Sequence, residues 1–179
     1  MDSLLPQAYL IGLIVLLAGA AVVVARQILR VRRDELALSR FDSDGNKPSD
    51  AAGLYELASV QLRKRLYGQA LDNLKAAAKR AEAEGEPAEA RAVIQNALGF
   101  SLAAQSNYKA ALKHYRMALE AKPNYPVALN NLAFALEKQQ KLEEAQATYE
   151  KVLSLDSGNK TARKRLKLLE RKGGFNEAA

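Results

Sequence analysis

The 179-residue chain contains no cysteine, no tryptophan and a single histidine, His114. Without cysteine it can make no disulfide, no thiolate nucleophile and no cysteine-ligated zinc or iron–sulfur site, in whichever compartment it resides. One histidine excludes a two-histidine metal site and leaves little for acid–base chemistry near neutral pH. Glycine and proline number 10 and 5, too few for a collagen-like or low-complexity chain. Catalytic motifs are missing as well: there is no glycine-rich phosphate loop with its lysine, no nucleophile elbow and no metal-spaced pair of histidines. The expected class is therefore not an enzyme, and neither a cofactor nor a small-molecule substrate is expected.

Charge is plentiful but unevenly placed. The formal net charge of +7, from 27 Lys/Arg against 20 Asp/Glu, suits an anionic partner such as nucleic acid or a membrane surface. Residues 159–179 hold seven basic and two acidic side chains, whereas no charge lies between Asp2 and Arg26. Ala8 to Ala25 is an unbroken run of Ala, Gly, Val, Leu, Ile and one Tyr. At ~1.5 Å per residue this run spans roughly 27 Å as a helix, and the Leu4-Leu5 start extends it toward the ~30 Å of a hydrocarbon core. A helix also satisfies its own backbone groups inside a bilayer. The competing reading, a cleaved secretory signal, wants a basic leader and a shorter apolar core; the only charge ahead of this run is Asp2. An uncleaved anchor is the expectation.

Basic flanks set the orientation. Arg26, Arg30, Arg32, Arg33 and Arg40 follow the run and no basic side chain precedes it, so the rest of the chain is expected on the cytoplasmic side, with the N-terminus across the membrane. Arg26, Arg30, Arg32 and Arg33 are the candidate membrane-surface residues, each worth about 1 kcal/mol near anionic headgroups. The helix is expected to continue to about Ser39. Phe41 to Asp50 then collects Asp, Ser, Gly, Asn and Pro, a linker in which Pro48 stops one helix and Ser49 or Asp50 can cap the next.

The remainder overlays on itself at an offset of 34 residues. With Ala92 as position 1, Leu98, Gly99, Leu102, Ala111, Tyr115, Ala118 and Pro123 fall at positions 7, 8, 11, 20, 24, 27 and 32. With Pro126 as position 1, Leu132, Ala133, Leu136, Ala145, Tyr149 and Val152 fall at 7, 8, 11, 20, 24 and 27. This resembles the tetratricopeptide repeat (TPR), whose small residues at 8 and 20 let two antiparallel helices approach closely. Position 4, typically Trp, is Gln95 and Leu129, and Ser157 replaces the second proline. An earlier unit starts at Ala51, with Leu54, Leu57, Ala58, Ala70, Leu74 and Ala77 in register, but 41 residues separate it from the next. The seven extra residues are expected to lengthen its second helix, with a break near Gly85-Glu86-Pro87. The predicted fold is all-α: a single N-terminal transmembrane helix, then a TPR α-solenoid of three helix-turn-helix repeats plus a capping helix. The predicted bounds are 1–40 for the anchor and basic juxtamembrane helix and 41–50 for the linker. Within a TPR domain at 51–172, repeats lie at about 51–91, 92–125 and 126–159 and the cap at 160–172; 173–179 forms a flexible tail.

The TPR resemblance implies a binding surface along the concave face, at first-helix positions such as 2, 5, 9 and 12. Asn96 and Asn130 repeat at position 5, Phe100 and Phe134 at position 9, and Tyr55 holds position 5 of the first unit. These five are the candidate partner-binding residues: amides can pair with a ligand backbone and exposed aromatics supply anchoring area. Packing between neighbouring first helices is the alternative role for the same residues. The places that hold Lys, Asn and Arg in repeats clamping the acidic tails of heat-shock chaperones are Tyr55, Ser59, Ala97, Val127 and Asn131, so that specificity is not expected. His114, at position 23 of a second helix, is expected to serve surface or packing.

One apolar span, an Arg-rich stretch from Arg26 through Arg33 into Glu35-Leu36-Ala37-Leu38-Ser39-Arg40, and three TPR units together resemble a family. They are similar to the membrane-anchored TPR proteins of cyanobacterial and plastid thylakoids that assist photosystem I assembly. The resemblance implies a single-pass thylakoid protein with a lumenal N-terminus and repeats on the cytoplasmic or stromal side. It implies partners that are photosystem I subunits or other assembly factors, together with the lipid bilayer. A generic membrane-anchored scaffold or targeting receptor unrelated to photosynthesis is the alternative. A nucleic-acid binder drawn to the basic tail ranks last, and no nucleic-acid partner is expected.

Overall fold

Eight helices, and no strand, occur among the described residues of the computed structural model, which are 4–43 and 48–176. Residues 1–3 of the expected anchor, 44–47 of the expected linker and 177–179 of the expected tail lie outside them. The chain divides into two units, residues 1–46 and 47–179.

The first unit is helix α1, Leu4–Ser43. It carries one stretch, Tyr9–Arg33, long and apolar enough to cross a membrane, and none of that stretch is buried. A soluble protein's core helix meets the same length and composition test but is covered by its neighbours; this one is not. The helix runs on to Ser43, past the Phe41 at which turn-forming composition was expected to end it.

The second unit is built from α2 (Ala51–Arg63), α3 (Tyr67–Ala83), α4 (Ala88–Ala104), α5 (Tyr108–Ala121), α6 (Pro126–Lys138), α7 (Leu142–Leu155) and α8 (Lys160–Asn176). Helices α2/α3, α4/α5 and α6/α7 form three pairs, and each pair packs on the next. The reason is visible at positions 8 and 20. Ala58 with Ala70, Gly99 with Ala111, and Ala133 with Ala145 are all buried, and the absence of bulk there lets the helices of a pair close on one another. Leu54, Leu57, Leu98, Leu129, Leu136 and Val152 fill the space around these contacts, each contributing roughly 1.5–3 kcal/mol by leaving water. Helix α8 buries Ala162 and Leu169 against the preceding pair and leaves Lys160, Lys164 and Lys167 exposed, as a capping helix with one apolar side must.

The turns explain how short connections suffice. Inside each pair the middle turn residue is left-handed: Arg65 at φ 60°, Ser106 at 63° and Gln140 at 58°. The following N–H then bonds a carbonyl five residues back, Leu66 to Gln61 and Asn107 to Leu102 at 2.9 Å and Lys141 to Leu136 at 3.0 Å, which satisfies carbonyls that a helix end otherwise leaves bare. After α7, where Ser157 replaces proline, Asp156 holds the turn by its side chain. Its Oδ1 accepts from the Gly158 amide at 3.1 Å and its Oδ2 from Asn159 Nδ2 at 3.0 Å. Asn159 Oδ1 in turn accepts from the Ala162 amide at 3.0 Å and caps α8.

Three expectations are corrected. The seven extra residues do not all lengthen the first unit's second helix: α3 is 17 residues against 14 in α5 and α7, and α4 is 17 against 13 in α2 and α6. Three extend α3 and four extend α4 backward, because Pro87 fixes the chain just ahead of a good helix-forming stretch, Ala88-Glu89-Ala90-Arg91. Asp50 stands at the N-cap of α2 but makes no side-chain cap bond; Glu84 Oε2 accepts from the Ala51 amide instead, at 3.3 Å. Helix α8 continues through Gly173-Gly174 to Asn176, since glycine weakens a helix by only ~1 kcal/mol per residue and stops it only where it turns left-handed.

Candidate functional site

First-helix positions 5 and 9 are set by the same periodicity that buries positions 7 and 8, so the five candidate residues line up on one side of α2, α4 and α6. Their environments differ. Phe100 is 44% exposed. Phe134, at the same register, is half-buried. The Tyr108 ring meets it edge-on at 6.3 Å and 76°, and Lys138 Nζ and the Arg165 guanidinium lie 5.4 and 4.9 Å from its centroid. Arg165 Nη1 also reaches Glu137 Oε1 at 3.5 Å. The aromatic face is thus covered by cations of its own helix and of α8, arrangements worth about 0.5–1 kcal/mol each at exposed sites.

The two asparagines bond within the stack. Asn131 Nδ2 donates to Asn96 Oδ1 at 2.9 Å, joining α6 to α4, and Asn130 Nδ2 donates to the α8 cap, Asn159 Oδ1, at 3.2 Å. Asn130 Oδ1 is buried with no hydrogen-bond partner, an acceptor oriented by its bonded amide. Tyr55 is half-buried. The phenol pKa of Tyr125, at the N-cap of α6, is raised by burial and then by Tyr55, and Lys122 Nζ sits 5.5 Å from the Tyr125 ring. The structure therefore joins Asn96 to Asn131 and Asn130 to Asn159, and leaves Phe100 facing solvent. Arg26, Arg30, Arg32 and Arg33 are exposed on α1.

Positions 4 and 23 differ between the second and third repeats. In the second repeat Gln95 takes the place of the usual Trp, and His114 Nδ1 donates to its Oε1 at 2.8 Å. Burial first, then Lys113 and Lys75, lowers the His114 pKa below its ordinary 6.5. In the third repeat Leu129 fills position 4 and is buried. The core phenols Tyr115 and Tyr149 are pushed far above their usual pKa, by burial in the first case and by burial and then the Glu137 carboxylate in the second, so both stay neutral packing groups.

The residues missed at the level of sequence are Tyr108, Lys138 and Arg165 around Phe134. Counting α8 from Lys160 as position 1 places Arg165 at position 6, the place Asn131 occupies on α6; treating the cap as a fourth first helix would have found it.

The tetratricopeptide repeat family matches residues 49–124 and again residues 102–168. Over 170 residues the chain is 35% identical to the protein ycf37 of Guillardia theta, covering 94% of each chain. It is 31% identical over 159 residues to the tetratricopeptide repeat domain-containing protein PYG7, chloroplastic, of Arabidopsis thaliana, covering 88% of this chain and 52% of that one. Among solved structures, the first TPR of Spaghetti (RPAP3) bound to an HSP90 peptide superposes with a TM-score of 0.64 at 22% identity, over 71% of this chain and 96% of that one; that likeness is one of fold. The fold of the second unit is that of protein-interaction scaffolds, and with a relative this similar along nearly its whole length the chain belongs to the Ycf37 family of tetratricopeptide-repeat proteins.

Proposed function

We propose that the protein is a non-enzymatic scaffold, held in the thylakoid membrane by α1, that helps assemble or stabilise photosystem I by binding its subunits or other assembly factors. The observation that carries this reading is the contrast in covering: the repeats bury their own apolar side chains, whereas Tyr9–Arg33 is wholly exposed. An uncovered stretch of that length is unstable in water, since each aliphatic side chain gives up roughly 1.5–3 kcal/mol by staying wet. A bilayer covers it, and the basic flank from Arg26 to Arg33 supports a lumenal N-terminus with the repeats on the cytoplasmic or stromal side. The chloroplastic relative supports the compartment.

In this reading α1 is the anchor, the pairs α2/α3, α4/α5 and α6/α7 are the three repeats and α8 is the cap. Tyr55, Asn96, Phe100, Asn130 and Phe134 face the client, and Arg26, Arg30, Arg32 and Arg33 face the headgroups. Anchoring confines the scaffold to the plane of its membrane-inserted clients and raises its effective concentration there. Affinity capture of the tagged chain from solubilised thylakoid membranes is expected to recover photosystem I subunits. Recovery of unrelated complexes alone overturns the proposal.

A further inference from the structure

The added first turn of α4 and the turn before it line a cavity on the first repeat. A cavity of about 330 Å³ opens between the first turns of α2 and α4, at the small end of the range for ligand pockets. Tyr55, Val93 and Ile94 wall it, and the small side chains of Ala51, Ala52 and Ala90 leave it open. Glu86, from the α3–α4 turn, and Glu89, from the added first turn of α4, complete the lining; Glu86 is half-buried and Glu89 exposed. Every other residue lining the cavity is apolar or aromatic.

We propose that this pocket is a docking site for a basic segment of a partner protein, which inserts one aliphatic side chain while flanking Lys or Arg residues pair with Glu86 and Glu89. The two carboxylates select cations and repel an acidic peptide tail. The chain as a whole carries +7, so a cationic peptide approaches against the overall charge and only a local acidic surface holds it. Because Tyr55 belongs to both, this inference rests on the client-facing reading of the first helices and names the chemistry bound at its Tyr55 end; it is read on the purified chain, so its failure leaves the photosystem I proposal intact, and a failed membrane capture leaves this pocket intact.

The test uses the full chain in zwitterionic detergent micelles and a fluorescein-labelled peptide with one leucine between two pairs of lysines. Saturable binding by fluorescence polarisation is expected, weakened tenfold or more when the leucine becomes glycine and abolished when the lysines become glutamates. Ala52→Phe fills the cavity from an exposed position and is expected to weaken binding at least tenfold with unchanged helical circular dichroism. The pair Glu86→Lys and Glu89→Lys is expected to do the same, while Lys167→Glu on α8 leaves binding unchanged. Equal binding of the glycine or glutamate peptide, full binding to Ala52→Phe, or no binding of the leucine peptide up to millimolar concentration each overturns the proposal.

Discussion

Residues 92–125 and 126–159 share their spacing at positions 7, 8, 11, 20, 24 and 27 and even repeat Asn and Phe at positions 5 and 9, yet at positions 8 and 9 the matched residues are not physically interchangeable. At position 8 the second repeat has Gly99 and the third Ala133, each facing a buried Tyr at position 24. A Cβ on Gly99 would stand 2.5 Å from Tyr115 Cε1, whereas Ala133 already packs in the same core cluster as Tyr149. The same signature is thus realised with two different separations between helix and ring. A repeat signature specifies which side chains meet; the neighbours on either side decide how closely.

The comparison breaks most sharply at that position. Gly99→Ala gains about 1 kcal/mol of helix propensity but overpacks a ring with nowhere to move, which costs roughly 3 kcal/mol. The net expectation is about 2 kcal/mol of destabilisation, read as a lower midpoint in urea unfolding of the full chain. Ala133→Gly relieves no clash, since Ala133 already packs in the cluster with Tyr149, and loses the ~1 kcal/mol of propensity, so the preferred residue inverts between repeats. The first repeat, with Ala58 and Leu74 at the same two places, points to the rescue: Tyr115→Leu is expected to restore most of what Gly99→Ala removes. Equal effects at the two sites would show that the repeats are packed alike after all.

Position 9 comes next. Phe134→Ala removes an edge-on aromatic contact and two cation contacts, a loss of about 1.5 kcal/mol in stability. Phe100, already 44% exposed, is expected to cost within about 0.5 kcal/mol when truncated. Client capture is expected to rank them the other way, with Phe100→Ala weakening recovery tenfold or more at unchanged stability. Capture assays run beside the melts separate the two roles.

How much of this was legible beforehand depends on range. Gly99, Ala111, Ala133 and Ala145 announce the close helix pairs because position 8 and position 20 lie within one hairpin, and the absence of charge from Ser3 to Ala25 announces α1 because composition alone sets it. The inequivalence of Phe100 and Phe134 was not legible, since Arg165 arrives from a helix about thirty residues later. Nor was the division of the seven extra residues: alanine-rich helix-formers flank Gly85-Glu86-Pro87 on both sides, and only the placed Pro87 and Glu84 show where each helix stops. The acidic pocket went unseen for the same reason, because Glu89 and Ala90 line it only if α4 starts early.

A feature that the repeats do share gives a smaller effect and tests how alike they are. Arg65, Ser106 and Gln140 are left-handed at the same turn position, a conformation that costs an L residue roughly 1–2 kcal/mol and glycine little. Glycine at each is expected to stabilise the fold by up to about 1 kcal/mol, offset in part by the greater freedom of the unfolded chain. Three similar gains, additive in the triple variant, sharpen the view that the turns are equivalent although the cores are not.

The smallest effect isolates the second repeat by pH. His114 is the chain's single histidine, and its pKa is lowered in the folded state by burial, then by Lys113 and Lys75. The unfolded chain therefore binds this proton more readily than the folded one, so stability falls as pH drops below the ordinary value of 6.5 and levels off once the folded pKa is passed. Above 6.5 the residue contributes no slope. The corresponding place in the third repeat is Thr148, which bonds the Glu144 carbonyl of its own helix and has no titration. His114→Gln is expected to flatten the stability profile between its folded and unfolded pKa values while leaving the carboxylate-driven fall at lower pH in place. Since Gln95 at position 4 accepts from His114 Nδ1, Gln95→Leu, which copies Leu129 of the third repeat, is expected to deepen the slope, because a half-buried imidazole without its acceptor is harder still to charge. A profile unchanged by both substitutions would mean that the two repeats meet acid in the same way despite their different contacts at positions 4 and 23.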